Sequence, residues 1–108
     1  MPGRIDSLVA MLERGQDSAL LRFSLGNEYL GEEEYTLASE HLRQAVQLEP
    51  GYSAAWKLLG KALASHGSDS EAISAYRQGI ETAEANGDRQ AAKEMTVFLR
   101  RLEKVAGK

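Results

Sequence analysis

Apolar side chains along this chain recur at intervals of three and four residues, which is the spacing of one face of an α-helix. The segment "WKLLGKAL" shows this spacing clearly, with Trp56, Leu59, Gly60 and Leu63 at i, i+3, i+4 and i+7. The segment that follows, over about residues 70–83, has a matching face formed by Ala72, Tyr76, Gly79 and Ile80. The pattern predicts two antiparallel helices that pack against each other through these faces.

The same pattern occurs twice along the chain, and the two copies align without a gap. The alignment superimposes Leu25 on Leu59, Gly26 on Gly60, Ala38 on Ala72, and Leu42 on Tyr76. A glycine inside a helix costs about 1 kcal/mol relative to alanine. Two glycines at the same phase therefore indicate that the facing helix approaches closely at those points.

Both copies resemble the tetratricopeptide repeat, which has the pattern W-x2-L-G-x2-Y…A-x3-F…P and a period of about 34 residues, the same as the distance from Leu25 to Leu59. This chain departs from the pattern at Arg22, which replaces the tryptophan, at Leu63, which replaces the tyrosine, and at Glu84, which replaces the proline. The resemblance spans residues 19–86. It implies an all-α fold, a short right-handed solenoid of about six antiparallel helices.

The whole chain is expected to form one domain around these two repeats, residues 19–52 and 53–86. Residues 4–14 continue the phase of the second helix of each repeat and predict a B-like helix, where A and B denote the first and second helix of a repeat. Residues 88–105 carry an apolar stripe formed by Ala91, Met95, Phe98, Leu102 and Val105. Such a stripe either caps the open end of the solenoid or pairs with another chain.

In the family that the chain resembles, the A helices line a concave groove that binds peptides or partner proteins. The groove residues occupy the second, fifth, ninth and twelfth positions of each repeat. Counted from Ala19 and Ser53, these are Leu20, Phe23, Asn27, Leu30, Ala54, Lys57, Lys61 and Ala64. The resemblance thus implies a protein-protein interaction module, an adaptor or scaffold.

The two groove lysines stand at i and i+4, on one helical face. They suggest a partner segment with an apolar anchor beside Phe23 and an acidic group or a C-terminal carboxylate near Lys57 and Lys61. The alternative is that both lysines are ordinary solvated side chains. Some family members clamp the C-terminal carboxylate of chaperones, but only Asn27 matches that residue set here, which favours a generic adaptor.

Composition narrows the function further. The 108 residues have a net charge of −3, and residues 1–86 hold seven basic and thirteen acidic side chains, so a nucleic-acid partner is not expected. No uncharged apolar run approaches the ~20 residues that span a bilayer. The chain has no cysteine, which excludes disulfides and thiolate chemistry. A cytoplasmic protein without a membrane partner is the expectation.

Nothing in the sequence indicates a catalytic site, a metal site or a cofactor. The two histidines, His41 and His66, lack spaced ligands, and the run Glu32-Glu33-Glu34 lacks the alternating carboxylates of a calcium loop. The competing hypothesis is therefore structural: a homo-oligomerisation module that uses the C-terminal amphipathic helix. A monomer or a weak homodimer is expected.

Overall fold

A computed structural model of the protein describes residues 3–107, which form six α-helices. The helices in chain order are α1 (Arg4–Glu13), α2 (Ala19–Gly31), α3 (Tyr35–Leu48), α4 (Ser53–Ser65), α5 (Asp69–Ala85) and α6 (Arg89–Ala106). The predicted all-α fold of about six helices is confirmed. The boundaries assigned to the two repeats remain an interpretation of the sequence.

Successive helices pack side by side, and the stack has two different faces. Helices α2 and α3 form one hairpin and α4 and α5 a second, while α1 packs on α2 and α6 packs on α5. Helix α4 also contacts both α2 and α6, whereas no Cα atom of α3 lies within 8 Å of a Cα atom of α5. Helices α2, α4 and α6 therefore lie closest together and form the inner face of a curved stack.

The core between the helices is built from leucines and alanines that recur along the chain. Leu25, Leu42 and Met95 are its largest fully buried side chains, and every buried residue of the described chain is apolar or glycine. Alanines such as Ala38 and Ala72, at equivalent positions of α3 and α5, are also fully buried. Small side chains at these points let the helices approach closely, so the leucines can fill the remaining space.

The glycines inside the helices accept a large side chain from the next helix, as their phase predicts. A Cβ atom added to Gly60 would lie 2.6 Å from Cε1 of the Tyr76 ring. A Cβ atom added to Gly26 would likewise overlap the side chain of Leu42. Leu42 follows Gly26 by the same number of residues as Tyr76 follows Gly60. The predicted close approach at Gly26 and Gly60 is confirmed.

The turn between α2 and α3 contains the acidic run, and its backbone matches the turn between α4 and α5. Glu33 has φ +60° and Gly67, its counterpart in the second repeat, has φ +82°. Only glycine adopts this left-handed conformation without cost. The Glu34 and Ser68 amides then donate to the carbonyls of Tyr29 and Leu63, at 2.9 and 2.8 Å. The three glutamates thus lie in an exposed turn, where Glu33 bears the cost of the left-handed conformation.

Repeat 1 keeps the structural role of the missing tryptophan through a different bond. In repeat 2, Trp56 Nε1 donates to the Pro50 carbonyl at 2.9 Å and holds the preceding turn against α4. In repeat 1, Arg22 Nε and Nη2 donate to the two carboxylate oxygens of Asp17, at 2.8 and 3.0 Å. Each side chain fastens its A helix to the turn before it.

The two A helices of the repeats begin differently. From the sequence, Asp17 or Ser18 is expected to cap α2 and Ser53 to cap α4. The Ser18 side chain accepts a hydrogen bond from the Leu21 amide at 3.1 Å and is the cap of α2. The expected cap at Ser53 is wrong, because Ser53 is already inside α4 and Tyr52 precedes it without a side-chain capping bond.

Helix α6 occupies the place of a third A helix, but it begins 36 residues after the start of α4, whereas α4 begins 34 residues after the start of α2. We call this two-residue difference its shifted phase. Ala91 and Met95 are buried as Ala55 and Leu59 are in α4. In the same alignment of α6 with α4, Thr96 stands at the position of Gly60. A further helix could not approach α6 as closely as α5 approaches α4, because Thr96 fills the space that the glycine leaves open.

We expect Gly60→Ala to lower the free energy of unfolding by about 1–2 kcal/mol, because overpacking against Tyr76 outweighs the better helix propensity of alanine. Gly31→Ala is the matched control, since no atom outside its immediate neighbourhood lies within 4 Å of the added Cβ. It should leave stability unchanged or raise it by up to about 1 kcal/mol. Urea unfolding of both variants measures these changes in stability. Equal stabilities would contradict the close approach of Tyr76 to Gly60.

Candidate functional site

The eight residues predicted to line a groove lie on two neighbouring helices of the inner face, because α2 and α4 contact each other. Leu20, Asn27, Ala54 and Lys61 are exposed, and Phe23, Leu30, Lys57 and Ala64 are half-buried. The surface is therefore partly apolar and partly polar. It divides into an α2 region and an α4 region, which make different contacts.

The α2 region centres on an aromatic pair. The Phe23 ring stacks on Tyr52, with centroids 4.9 Å apart and an angle of 24° between the planes. Burial is the main reason that the pKa of Tyr52 is raised, with a smaller contribution from Glu49. Leu20, which precedes Phe23 by almost one turn of the same helix, is 65% exposed. A partner would thus meet a free leucine beside a stacked aromatic pair.

The two lysines of the α4 region have different roles. Lys57 Nζ lies 2.6 Å from Glu94 Oε1 on α6, and Glu94 also accepts from Gln90 Nε2 at 3.3 Å. The hydrogen bond from Lys57 is the main cause of the lowered pKa of Glu94, followed by the bond from Gln90. Among residues 3–107 no carboxylate forms an ion pair with Lys61. Of the two groove lysines, Lys61 is the one available to an acidic partner.

A cleft lies between α4 and α6, and the sequence did not predict it. Its wider part has a volume of about 450 Å³ and is lined by Lys57, Leu58, Lys61, Ala64, Ser65, Tyr76 and Phe98. A narrower part of about 160 Å³ adjoins it and is lined by Ala64, Tyr76, Phe98, Arg101 and Leu102. We call the two parts together the α4–α6 cleft.

The floor and one wall of the α4–α6 cleft are aromatic. The rings of Tyr76 and Phe98 pack with centroids 5.7 Å apart and a tilt of 33°. Burial raises the pKa of Tyr76 to about 12. The contribution of α6 was missed because its phase is shifted from that of the repeats, so the family pattern assigns it no groove positions.

A second cluster of polar side chains surrounds His41. Its Nδ1 lies 3.1 Å from Arg22 Nη1, and its ring stacks on Tyr29 with centroids 5.5 Å apart. Since arginine is always a donor, His41 Nδ1 is the acceptor and the imidazole is neutral in this arrangement. Burial and then the Arg22 charge lower the pKa of His41, while Glu40 and Asp17 oppose that effect.

Neither histidine lies in a cluster of metal ligands. The part of the chain that the structure describes holds no group of three or more His, Asp or Glu side chains that could hold a metal ion. His66 follows α4 directly and is exposed. Within residues 3–107 no helix combines the length and the apolar content that crossing a lipid bilayer requires.

Comparison with known proteins identifies the repeat. The sequence model described as "Tetratricopeptide repeat" matches residues 29–95. The chain belongs to the tetratricopeptide repeat family. A TPR repeat-containing protein of Pseudomonas aeruginosa is 51% identical over 100 residues, covering 93% of this chain and 95% of that protein. The predicted family is confirmed.

Two solved structures from other bacteria have the same fold. A protein of Bordetella parapertussis, solved in solution, is 44% identical with a TM-score of 0.83, covering 96% of this chain and 90% of its own. A tetratricopeptide repeat domain of Salinibacter ruber is 25% identical with a TM-score of 0.74, over 82% of this chain and 89% of its own. Tetratricopeptide repeat domains generally mediate protein-protein interaction and are typically not enzymes.

We expect stability to fall more steeply with acidification in the wild type than in His41→Gln. The pKa of His41 is lowered in the folded state, so below about pH 6.5 the unfolded chain binds a proton that the folded chain does not. The contribution of His41 to stability is therefore fully present above that pH and is lost as pH falls toward the folded-state pKa.

Urea unfolding at about pH 7.5 and pH 5 measures this difference, and subtracting the variant removes the contribution of the other groups. His66→Gln, at the exposed histidine, serves as the control and should keep the pH dependence of the wild type. If His41→Gln lost as much stability as the wild type on acidification, the assignment of a neutral, hydrogen-bonded His41 would be wrong.

Proposed function

We propose that this protein is an adaptor that binds a peptide or protein segment on its inner face. The observation that carries the proposal is the exposure of Leu20, at 65%, next to the stacked pair of Phe23 and Tyr52. An exposed leucine beside an aromatic pair offers apolar surface that a partner can remove from water, at about 25 cal/mol for each Å².

The charge that would orient the partner is assigned to Lys61 rather than to both lysines. Lys57 is engaged by Glu94 of the same chain, so a partner carboxylate at that position would have to displace Glu94. Lys61 is exposed on the neighbouring turn of α4. The partner is then a segment with an apolar anchor near Leu20 and a carboxylate near Lys61, from a side chain or a chain end. We place this interaction in the cytoplasm, without nucleic acid or membrane.

Self-association through α6 is the second candidate, and two exposed valines favour it. Val97 is 46% and Val105 62% exposed. The larger apolar residues of α6 are already packed on α5 and α4, since Met95 is fully buried and Phe98 and Leu102 lie against the core. A stable interface buries about 800 Å² on each partner. The two valines provide a small fraction of that area, which makes the adaptor the better-supported proposal.

The test is capture of partners from a lysate of the organism that makes the protein, using immobilised wild type, Leu20→Asp and Lys61→Glu. Both residues are exposed, so neither change should disturb folding. We expect each variant to lose the partner that the wild type retains, Leu20→Asp through the lost apolar contact and Lys61→Glu through charge repulsion. Bound proteins are identified by mass spectrometry.

Leu48→Asp is the matched control, because Leu48 is also an exposed leucine, at 51%, but lies on α3 outside the inner face. It should retain the partner. Loss of the partner in Leu48→Asp with retention in Leu20→Asp would move the binding surface to the outer face. A mass that rises with concentration, and falls in Val97→Asp, would favour self-association.

A further inference from the structure

We infer that the α4–α6 cleft selects the partner: it takes one apolar side chain from a segment that carries acidic side chains on both sides of that residue. This inference rests on the proposed function and names the class of partner. It involves residues of α6 that form no part of the groove that the family pattern outlines.

The narrower part of the cleft fits a single apolar side chain. Its volume is about 160 Å³, and it is lined by Ala64, Tyr76, Phe98, Arg101 and Leu102. An enclosed apolar cavity of about 150 Å³ binds a molecule of the size of benzene, and this part of the cleft has a similar volume but is open to solvent. A phenylalanine or a leucine of the partner would therefore fit this part and cover the half-buried Phe98 ring.

The wider part leaves room for the partner backbone. Its volume of about 450 Å³ lies within the range of about 300–1,000 Å³ that is typical of ligand pockets. It shares Ala64, Tyr76 and Phe98 with the narrower part, so the two parts are continuous. A segment lying along α4 could place one side chain in the narrow part while its neighbours stay at the rim.

The charges at the rim indicate what those neighbours are. Lys61 stands on the α4 wall and Arg101 on the α6 wall, and both side chains are exposed. Among the described residues neither forms an ion pair. Cations on opposite walls are best matched by carboxylates on both sides of the inserted residue. A chain end supplies a carboxylate on one side only, which favours an internal acidic segment.

One lysine that lines the wider part already pairs with a carboxylate of its own chain. Lys57 Nζ of α4 lies 2.6 Å from Glu94 Oε1 of α6. The contact shows that a cation on the α4 wall can pair with a carboxylate beside the cleft. Exposed ion pairs contribute little each, so the apolar side chain provides most of the affinity and the charges provide orientation and selectivity.

Tyr76 is compatible with an acidic partner. A tyrosine phenol bears no negative charge at neutral pH that would repel a carboxylate, and burial raises the pKa of Tyr76 further, to about 12. The ring also lies against the Gly60 backbone, which restricts its movement away from the cleft. The pocket is thus formed before a partner arrives, which reduces the ordering cost of binding.

The test uses a fluorescein-labelled, C-amidated peptide of sequence GSEDFDESG and measures fluorescence polarisation against the intact protein. Three comparison peptides separate the contributions of the apolar side chain, the acidic side chains and a chain end. One has serine in place of phenylalanine, one has the amides in place of all acids, and one ends in phenylalanine with a free carboxylate and no acidic side chains. We expect each comparison peptide to bind at least about tenfold more weakly than the parent, about 1.4 kcal/mol.

Charge-reversal variants then locate the site. Lys61→Glu and Arg101→Glu should each weaken the parent peptide about tenfold, and Ala64→Leu should weaken it by filling both parts of the cleft. Lys93→Glu is the matched control, since Lys93 is an exposed cation of α6 that lines a different surface, with Val97 and Arg100. It should change the affinity by less than about twofold.

The outcomes separate this inference from the proposed function. If the parent peptide does not bind, or binds as well to Arg101→Glu as to the wild type, the assignment of the cleft is wrong. If the free-carboxylate peptide binds best, the partner is a chain end and the inference is also overturned. In either case loss of a captured partner in Leu20→Asp would still support the inner face as a binding surface.

Discussion

The contact of the Gly60 backbone with the Tyr76 ring is the constraint on which the rest of the structure depends. It fixes the distance between α4 and α5, because a single added carbon at Gly60 would overlap the ring. On its other side the ring packs against Phe98 and so positions α6. The same tyrosine is the floor of the α4–α6 cleft. Packing and the candidate site therefore share one residue, and a change that loosens the hairpin would also change the cleft.

Helix α6 packs on α5 and α4 and also forms one wall of the cleft. Its shifted phase keeps Ala91 and Met95 in the core positions of an A helix. Thr96 stands where the earlier A helix has glycine, so the next close approach is blocked. The inner edge of the same helix contributes Phe98 and Arg101 to the cleft. One element therefore packs on α5 and forms a wall of the cleft.

The fold was predictable because its determinants repeat. The repeat period, with Gly26 and Gly60 at the same phase, indicates the hairpins and the points where they approach closely. The family pattern also assigns Leu20 and Lys61 to one face. Periodicity identifies the face of a helix on which a residue lies, and that much of the candidate site followed from sequence.

Contacts between helices were not predictable in the same way, because they join residues without a periodic relation. The ion pair of Lys57 and Glu94 joins α4 to α6 and gives one of the two groove lysines a carboxylate partner within its own chain. The stacking of Phe23 on Tyr52 depends on a residue in the turn between α3 and α4. Charge and ring size restrict such pairs, but the packing of the helices selects among them.

A titration of ¹⁵N-labelled protein with unlabelled GSEDFDESG, followed by ¹H–¹⁵N correlation spectra, tests the central claim most directly. We expect amide shifts to concentrate in α4 around Lys61 and Ala64, at Tyr76, and in α6 around Phe98 and Arg101. Helices α1 and α3 should be unaffected. Shifts concentrated on α3, or spread evenly over the chain, would contradict a binding cleft built on the contact between Gly60 and Tyr76.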